Sequence, residues 1–264
     1  MDLELSGKRA LISGSTSGIG YAIAKSLAAE GADVIITGRN EKHIETAIKG
    51  IVSQTSEAKV AGVVVDFGNA NEIDNLLKTV GDVDILINNV GIFEPKDFLE
   101  ITDEDWKTFF EINVLSGVRL SRFYFPKMLS KNWGRIIFIS SESAINIPEE
   151  MIHYGATKTT QLGLSRGLAK LTRGTAVTVN AVLPGPTKSD GVNAFLSDLA
   201  KGQGISKEEV EKDFFRNARP SSLIQRFASI EEIASLVVYL SSPLSSAVNG
   251  ASLRIDGGVV NTIV

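Results

Sequence analysis

Tyr154 and Lys158 stand four residues apart, in a stretch that runs from Ser140 to Lys158 and follows the apolar segment 135–139. On a helix this spacing puts both side chains on one face, one turn apart. A lysine ammonium beside a phenol stabilises the phenolate and draws its pKa down from about 10 toward the working pH. A tyrosine tuned in this way serves as a general acid or base. Ser141 lies just past the apolar segment and offers a hydroxyl to the same place. Tyr-x-x-x-Lys taken alone arises by chance more often than by function, so the surrounding elements must carry the argument.

The first of these elements is a glycine cluster. Gly14-Ser15-Thr16-Ser17-Gly18-Ile19-Gly20 falls between a short apolar run, residues 8–13, and a helical pattern of Ile23, Ala24, Leu27 and Ala28. A strand, a glycine-rich turn and a helix let a pyrophosphate approach the backbone and rest on the helix N-terminus. The spacing is Gly-x3-Gly-x-Gly, not the Gly-x-Gly-x-x-Gly of the dinucleotide fingerprint. The position at the first strand–helix turn of an alternating chain is what makes it a nucleotide site. The second strand ends in Thr37-Gly38-Arg39-Asn40, without an acid. An acid there would hold the ribose 2′-hydroxyl of NAD, whereas an arginine suits the 2′-phosphate of NADP. Arg39 therefore favours NADP(H), with NAD(H) as the alternative if Arg39 is only a solvated loop residue or stacks on the adenine.

Strand and helix patterns alternate along the chain. Apolar runs at 33–37, 59–65, 83–87, 135–140, 176–182 and 251–255 read as strands. They are continuous rather than alternating, as expected for a parallel sheet buried on both faces. Helices are expected at 41–54, from Asn69, from Thr102 to about 130, around Tyr154 and at 230–240. Thr102 and Asp105 have the spacing of a capping box. No linker or repeat divides the chain. The expected fold is a single doubly wound Rossmann-type α/β domain over residues 1–264, with a central, mainly seven-stranded parallel sheet and helices on both faces. A polar, helix-prone stretch at about 189–217 reads as an insertion.

Composition narrows the function. The 264 residues are 43% hydrophobic and 22% charged, with net charge −4, which argues against a nucleic-acid partner. The chain has no cysteine, which excludes disulfides, thiolate catalysis and cysteine metal sites. Its two histidines, His43 and His153, are far apart, and no metal is expected from them. The N-terminal residues lack a signal h-region, and no apolar run approaches the ~20 residues of a membrane span. The expected location is the cytoplasm.

With these motifs in place the chain resembles the short-chain dehydrogenase/reductase family, and specifically its compact single-domain, NADP-preferring reductases. The resemblance covers roughly residues 5–260. Ser13-Gly14-x3-Gly18-Ile19-Gly20 is similar to the family's glycine motif, with Ser13 where Thr is usual. Asp66, with Phe67 beside it, matches the acid that contacts adenine. Asn88-Asn89-Val90-Gly91 resembles the family's Asn-Asn-Ala-Gly, with Val90 in place of Ala. Asn113 matches the helix asparagine that holds a water against the active-site lysine. Ser141, Tyr154 and Lys158 have the family's spacings. Pro184-Gly185 matches the turn beside the nicotinamide, and Thr187 and Ser189 fall where the carboxamide is contacted.

The resemblance implies hydride transfer between NADP(H) and a carbonyl or secondary alcohol, as in ketone and 3-oxoacyl reductases. Tyr154 would donate the proton, Lys158 would tune it and bind the nicotinamide ribose, Ser141 would hold the carbonyl oxygen, and Asn113 would position the water. It also implies a homotetramer or homodimer and reads 189–217 as a mobile substrate lid. Apolar Val192, Phe195, Leu196, Leu199, Phe214 and Phe215 of that lid could line a pocket. Two other readings stay open: an NAD-linked alcohol dehydrogenase, and a non-catalytic NADP-sensing protein. His153 reads as packing or pocket rim, Glu149 and Glu150 as solvated loop charge or a border that disfavours acidic substrates. Trp106, Phe109 and Phe110 read as packing.

Overall fold

The computed structural model describes residues 2–263, with the side chain of Phe195 outside that description. The first half alternates regularly: β1 (Arg9–Ile12), α1 (Gly18–Ala29), β2 (Asp33–Gly38), α2 (Glu41–Val52), β3 (Val60–Val64), α3 (Ala70–Val80) and β4 (Ile85–Asn88). Next come α4 (Asp103–Phe110), α5 (Ser116–Ser130), β5 (Gly134–Ile139), α6 (Ile152–Lys170) and β6 (Val177–Pro184). The chain then forms α7 (Asp190–Gln203), α8 (Lys207–Asp213), α9 (Ile230–Ser241) and β7 (Ser252–Ile255). The seven strands make one sheet in the order β3-β2-β1-β4-β5-β6-β7, every pairing parallel.

Period-two alternation sends each strand's residues to two cores. Ala10, Ile12, Ile36, Ile87 and Ile137 meet α1, α2 and α9 on one face. Leu11, Ile35, Leu86, Ile136 and Phe138 meet α3, α5 and α6 on the other. This explains the unbroken apolar runs: both faces are dry. The two edge strands are the exceptions: only Val60 and Val63 of β3 are even half-buried, and no residue of β7 is more than half-buried. A third, smaller cluster of Leu196, Ala200, Val210, Phe215 and Phe227 joins α7 and α8 to the segment before α9.

The helix ends follow local chemistry. Asn69 caps α3 by accepting from the Asn71 amide, and Thr102 and Asp105 form the expected reciprocal box at the start of α4. One expectation changes. The helix read as continuous from 102 to about 130 is broken by a wide turn at Glu111–Leu115, in which the Ser116 amide donates to the Glu111 carbonyl. Such one-turn expansions re-aim side chains and are frequent at functional sites. Here the turn carries Asn113, which is 1% exposed.

Candidate active site

The strand order reverses between β1 and β4, and ligands of doubly wound sheets bind at the carboxyl ends of strands beside that point. The glycine turn lies there. Gly14 and Gly18 have φ of +62° and +57°, which β-carbon-bearing residues rarely adopt. A β-carbon on Gly20 would stand 2.4 Å from the Gly14 carbonyl and 2.5 Å from Asn89 Nδ2, so the turn closes only on glycine. Asn89 Nδ2 donates to the carbonyls of Ser13 and Gly14, and Ser13 Oγ accepts from the amides of Asn89 and Val90. The Ser15 and Thr37 hydroxyls both donate to the Ile12 carbonyl, and they accept from the Thr37 and Gly14 amides respectively, which ties the turn to the end of β2. Val90 packs against Gly14 and joins the second core.

At the start of α1, Ser17 makes no side-chain cap and no acid lies in the first turn. Its terminal amides are thus suited to an anion. Ser189 caps α7 and sits across from Gly18, 3.5 Å from where a β-carbon there would lie. The Thr16 side chain packs on Gly38, which sets exposed Arg39 beside the glycine turn. Asp66 Oδ1 accepts from the Gly68 amide. The Phe67 side chain is buried in the core, which leaves only its backbone for the site.

A cavity of about 540 Å³ opens beside this turn. Ile19, Asn89, Gly91, Ser141, Tyr154, Lys158, Pro184, Gly185, Thr187 and Ser189 line it. The remaining members of the glycine turn, together with Arg39, Asp66 and Phe67, lie outside its walls. Asn113 lies behind the wall. Its Oδ1 accepts from the Ile92 amide at 2.8 Å, and its Nδ2 donates to the Ile92 carbonyl and to Thr157 Oγ1. The hydroxyl of Ser140 donates to the Lys158 carbonyl, whereas that of Ser141 is hydrogen-bonded to Tyr154 and accepts from the Ser143 amide. Lys158 Nζ donates to the Ile139 carbonyl at 2.9 Å and to Gln161 Oε1 at 3.5 Å, and lies 5.6 Å from the Tyr154 ring centre.

This chain matches the short chain dehydrogenase family over residues 8–200. An uncharacterized oxidoreductase of Bacillus subtilis, YvaG, is 51% identical over the full length of both chains. The 3-oxoacyl-[acyl-carrier-protein] reductase of Aquifex aeolicus is 32% identical, covering 98% of this chain and all of its own. Among solved structures, L-sorbose reductase from Gluconobacter frateurii complexed with NADPH and L-sorbose superposes with a TM-score of 0.93 at 30% identity, covering both chains fully. The chain belongs to the short chain dehydrogenase family. It is an oxidoreductase acting on the carbonyl/secondary alcohol couple.

In this short chain dehydrogenase three further polar residues shape the site, Gln161 and Glu142 buried and Arg219 half-buried. Gln161 donates from Nε2 to the Asn113 carbonyl and accepts from Lys158, and so links the two. Its position three residues past Lys158 and seven past Tyr154 puts it on their helix face, which was the available signal. Glu142 and Arg219 pair across the cavity wall, and nothing in the linear spacing relates them. Glu150 lines the cavity while Glu149 is exposed. His153 is fully buried between Phe109 and Trp106, with burial lowering its pKa, and acts as packing. Among the described residues no acid, cysteine and histidine group could hold a metal, and no helix is long and apolar enough to cross a membrane.

The electrostatics differ from the spacing argument. Burial pushes the Tyr154 hydroxyl up to about 12, opposed by its bond to Ser141. Burial also draws Lys158 down to about 8 from 10.5. No carboxylate pairs with the ammonium, and desolvation therefore sets both groups. Because the folded-state pKa of Lys158 is depressed, the folded protein binds fewer protons than the unfolded chain between about 8 and 10.5. Stability rises with pH through that window, and below it the full cost is on the order of 3 kcal/mol. Lys158→Met should therefore raise Tm by a few degrees at neutral pH, even after loss of the bond to Ile139. The gain should shrink to nothing as pH climbs toward 10.5, which thermal melts across that range would read.

Proposed function

We propose that Ser141, Tyr154, Lys158 and Asn113 carry out the interconversion of a carbonyl and a secondary alcohol with NADP(H). The observation that carries this reading is the convergence of Ser141, Tyr154 and Lys158 on one cavity beside the glycine turn. The chain fits the cofactor on its own residues. Gly14, Gly18 and Gly20 leave a backbone cradle, the uncapped amides of α1 face an anion, and Pro184, Gly185, Thr187 and Ser189 form the opposite wall. When bound, the nicotinamide supplies the hydride.

The protein's part is to hold the carbonyl and move one proton. Ser141 donates to the carbonyl oxygen, where negative charge grows in the transition state. Tyr154 donates its proton to the nascent alkoxide, a task suited to a hydroxyl kept protonated by burial. Lys158, with a pKa near 8, can carry charge toward the cofactor ribose and favour the tyrosinate that is left. Asn113 fixes the Gly91–Ile92 wall and Thr157, and its carbonyl, with one lone pair given to Gln161, keeps a second for a water. Reversal of the same path oxidises the alcohol. NADP(H) rather than NAD(H) is supported by exposed Arg39, the absence of an acid at the end of β2, and the NADPH-bound sorbose reductase.

The whole chain is read as one domain with residues 189–217 as a substrate lid. Val192, Leu196, Leu199 and Phe214 line the cavity from that segment, while Phe215 packs in the small core beneath it. A homodimer or homotetramer is supported by exposed Leu115, in the wide turn between α4 and α5, and exposed Leu171, just past the end of α6. A cytoplasmic location, and a small molecule rather than nucleic acid as partner, are supported by composition and net charge.

Tyr154→Phe should lower kcat by about 10²–10⁴-fold, the usual worth of a general acid, while NADPH affinity stays within a few-fold. Near-wild-type kcat on a ketone that the wild type reduces would remove Tyr154 from its role. Arg39→Ala should weaken NADPH binding by about tenfold or more, the worth of one charge-assisted hydrogen bond, and leave NADH binding little changed. Fluorescence titration with both cofactors reads this, and equal losses for the two would show that Arg39 does not select between them.

A further inference from the structure

One wall of the cavity is polar and has no part in the proton path. Glu142, directly after Ser141, is 4% exposed. Its Oε1 accepts from Arg219 Nε at 3.4 Å. The two terminal nitrogens of Arg219 reach Glu150 Oε1, also at 3.4 Å, and Nη1 donates to the Ala218 carbonyl at 2.8 Å. Glu142, Glu150 and Arg219 all line the cavity. Glu142 Oε2 is buried without a hydrogen-bond partner among the described residues, although the Ser143 hydroxyl lies close to that carboxyl.

Charges taken out of water are costly unless they are closely paired and fully hydrogen-bonded. Charge-assisted bonds settle at about 2.7–2.9 Å, so contacts of 3.4 Å are loose. The pair is therefore short of partners: one carboxylate oxygen has none, and Arg219 Nη2 has only the long contact to Glu150. Elsewhere the cavity presents apolar walls, including Phe93, Met151, Leu196 and Phe214. An isolated, underfilled polar patch in an apolar pocket is a place where one substrate group is fixed.

Charge selects the group. A carboxylate would gain Arg219 but meet Glu142 and Glu150, with Asp256 also acting on Glu142. An ammonium would gain Glu142 but meet Arg219. A hydroxyl donates to Glu142 and accepts from Arg219 through one oxygen and adds no charge. Glu142 directly follows Ser141, and both line the cavity with Tyr154 and Arg219, so the anchored group shares one pocket with the reacting carbon.

We infer that the substrate of this oxidoreductase carries a hydroxyl close to the reducible carbonyl, anchored between Glu142 and Arg219, with an apolar remainder against the aromatic wall. The inference rests on this cavity being the carbonyl pocket. A hydroxymethyl alkyl ketone should be compared with the methyl alkyl ketone of equal chain length and with the corresponding α-keto acid, each with NADPH. In the wild type, kcat/KM for the hydroxy ketone should exceed that for the methyl ketone by about tenfold or more, since a site built to bond a hydroxyl rejects the analogue without it.

Hydroxy ketones are also intrinsically more reactive, so the change in this ratio on mutation is the decisive reading. Glu142→Leu should lower the ratio by about tenfold or more, and the isosteric Glu142→Gln, which guards against a folding defect, should lower it less. An unchanged ratio in both variants, or a wild type that prefers the α-keto acid, would overturn the inference. Absence of NADPH oxidation with every ketone, in protein that binds NADPH, would count against the carbonyl-pocket reading, and the inference would fall with it.

Discussion

Lys158 places a primary amine inside the protein without a carboxylate to neutralise it. Its partners are a backbone carbonyl from the last residue of β5 and the side-chain oxygen of Gln161. Much of the local architecture follows from housing that group. The amine reaches Ile139 only because α6 packs directly on the end of β5, a contact reinforced by the Ser140 hydroxyl on the Lys158 carbonyl. Gly91 leaves the amine room, since a β-carbon there would stand 3.3 Å from Nζ and 3.4 Å from Asn113 Oδ1 and crowd both. The wide turn at 111–115 delivers Asn113 to the back of the same wall, where its amide staples Ile92 to Thr157. Burial then acts on the whole set, holding Tyr154 protonated and making Lys158 ready to lose its charge.

Local features of the fold, and the doubly wound parallel sheet they imply, were legible, whereas individual long-range contacts were not. The apolar runs, the Thr102–Asp105 box and the Asn69 cap depend on residues a few positions apart, and each is where the pattern put it. The break at Glu111–Leu115 gave no warning because no Pro or Gly marks it; Asn113 is drawn inward by partners 21 and 44 residues away. The site divides in the same way. The spacing of Ser141, Tyr154 and Lys158 brought out residues that line one cavity; Ser140 lines it too, and the two serines differ in their hydrogen bonds. The same spacing led to a lysine that lowers the tyrosine pKa. The opposite shifts arise from desolvation, which no linear pattern reports. Phe67 likewise adjoins a contact residue in sequence, yet its side chain belongs to the core. Glu142 and Arg219 stand 77 positions apart, and only the packing of the segment after α8 over the cavity brings them together.

Two chemistries thus meet in one cavity. At Ser141, Tyr154 and Lys158 it has the groups proposed to hold the carbonyl and move one proton. At another wall Glu142 and Arg219 interrupt an apolar surface, and the inferred hydroxyl anchor lies there. Reaction and selectivity are placed on different elements: strand ends and α6 for the first, the loop after Ser141 and the segment after α8 for the second. This separation lets a rigid scaffold keep its chemistry while its pocket wall changes.

The charge state of Lys158 underlies the rest of the site. Carbon NMR of protein with isotope-labelled lysine, with the Lys158 resonance identified by its absence in a Lys158 variant, would titrate this amine directly. Desolvation without a carboxylate partner predicts a midpoint near 8. A midpoint at or above 10.5 would mean that the ammonium is as well solvated or paired as in water, and would contradict the picture of a buried, poorly compensated charge around which the site is built.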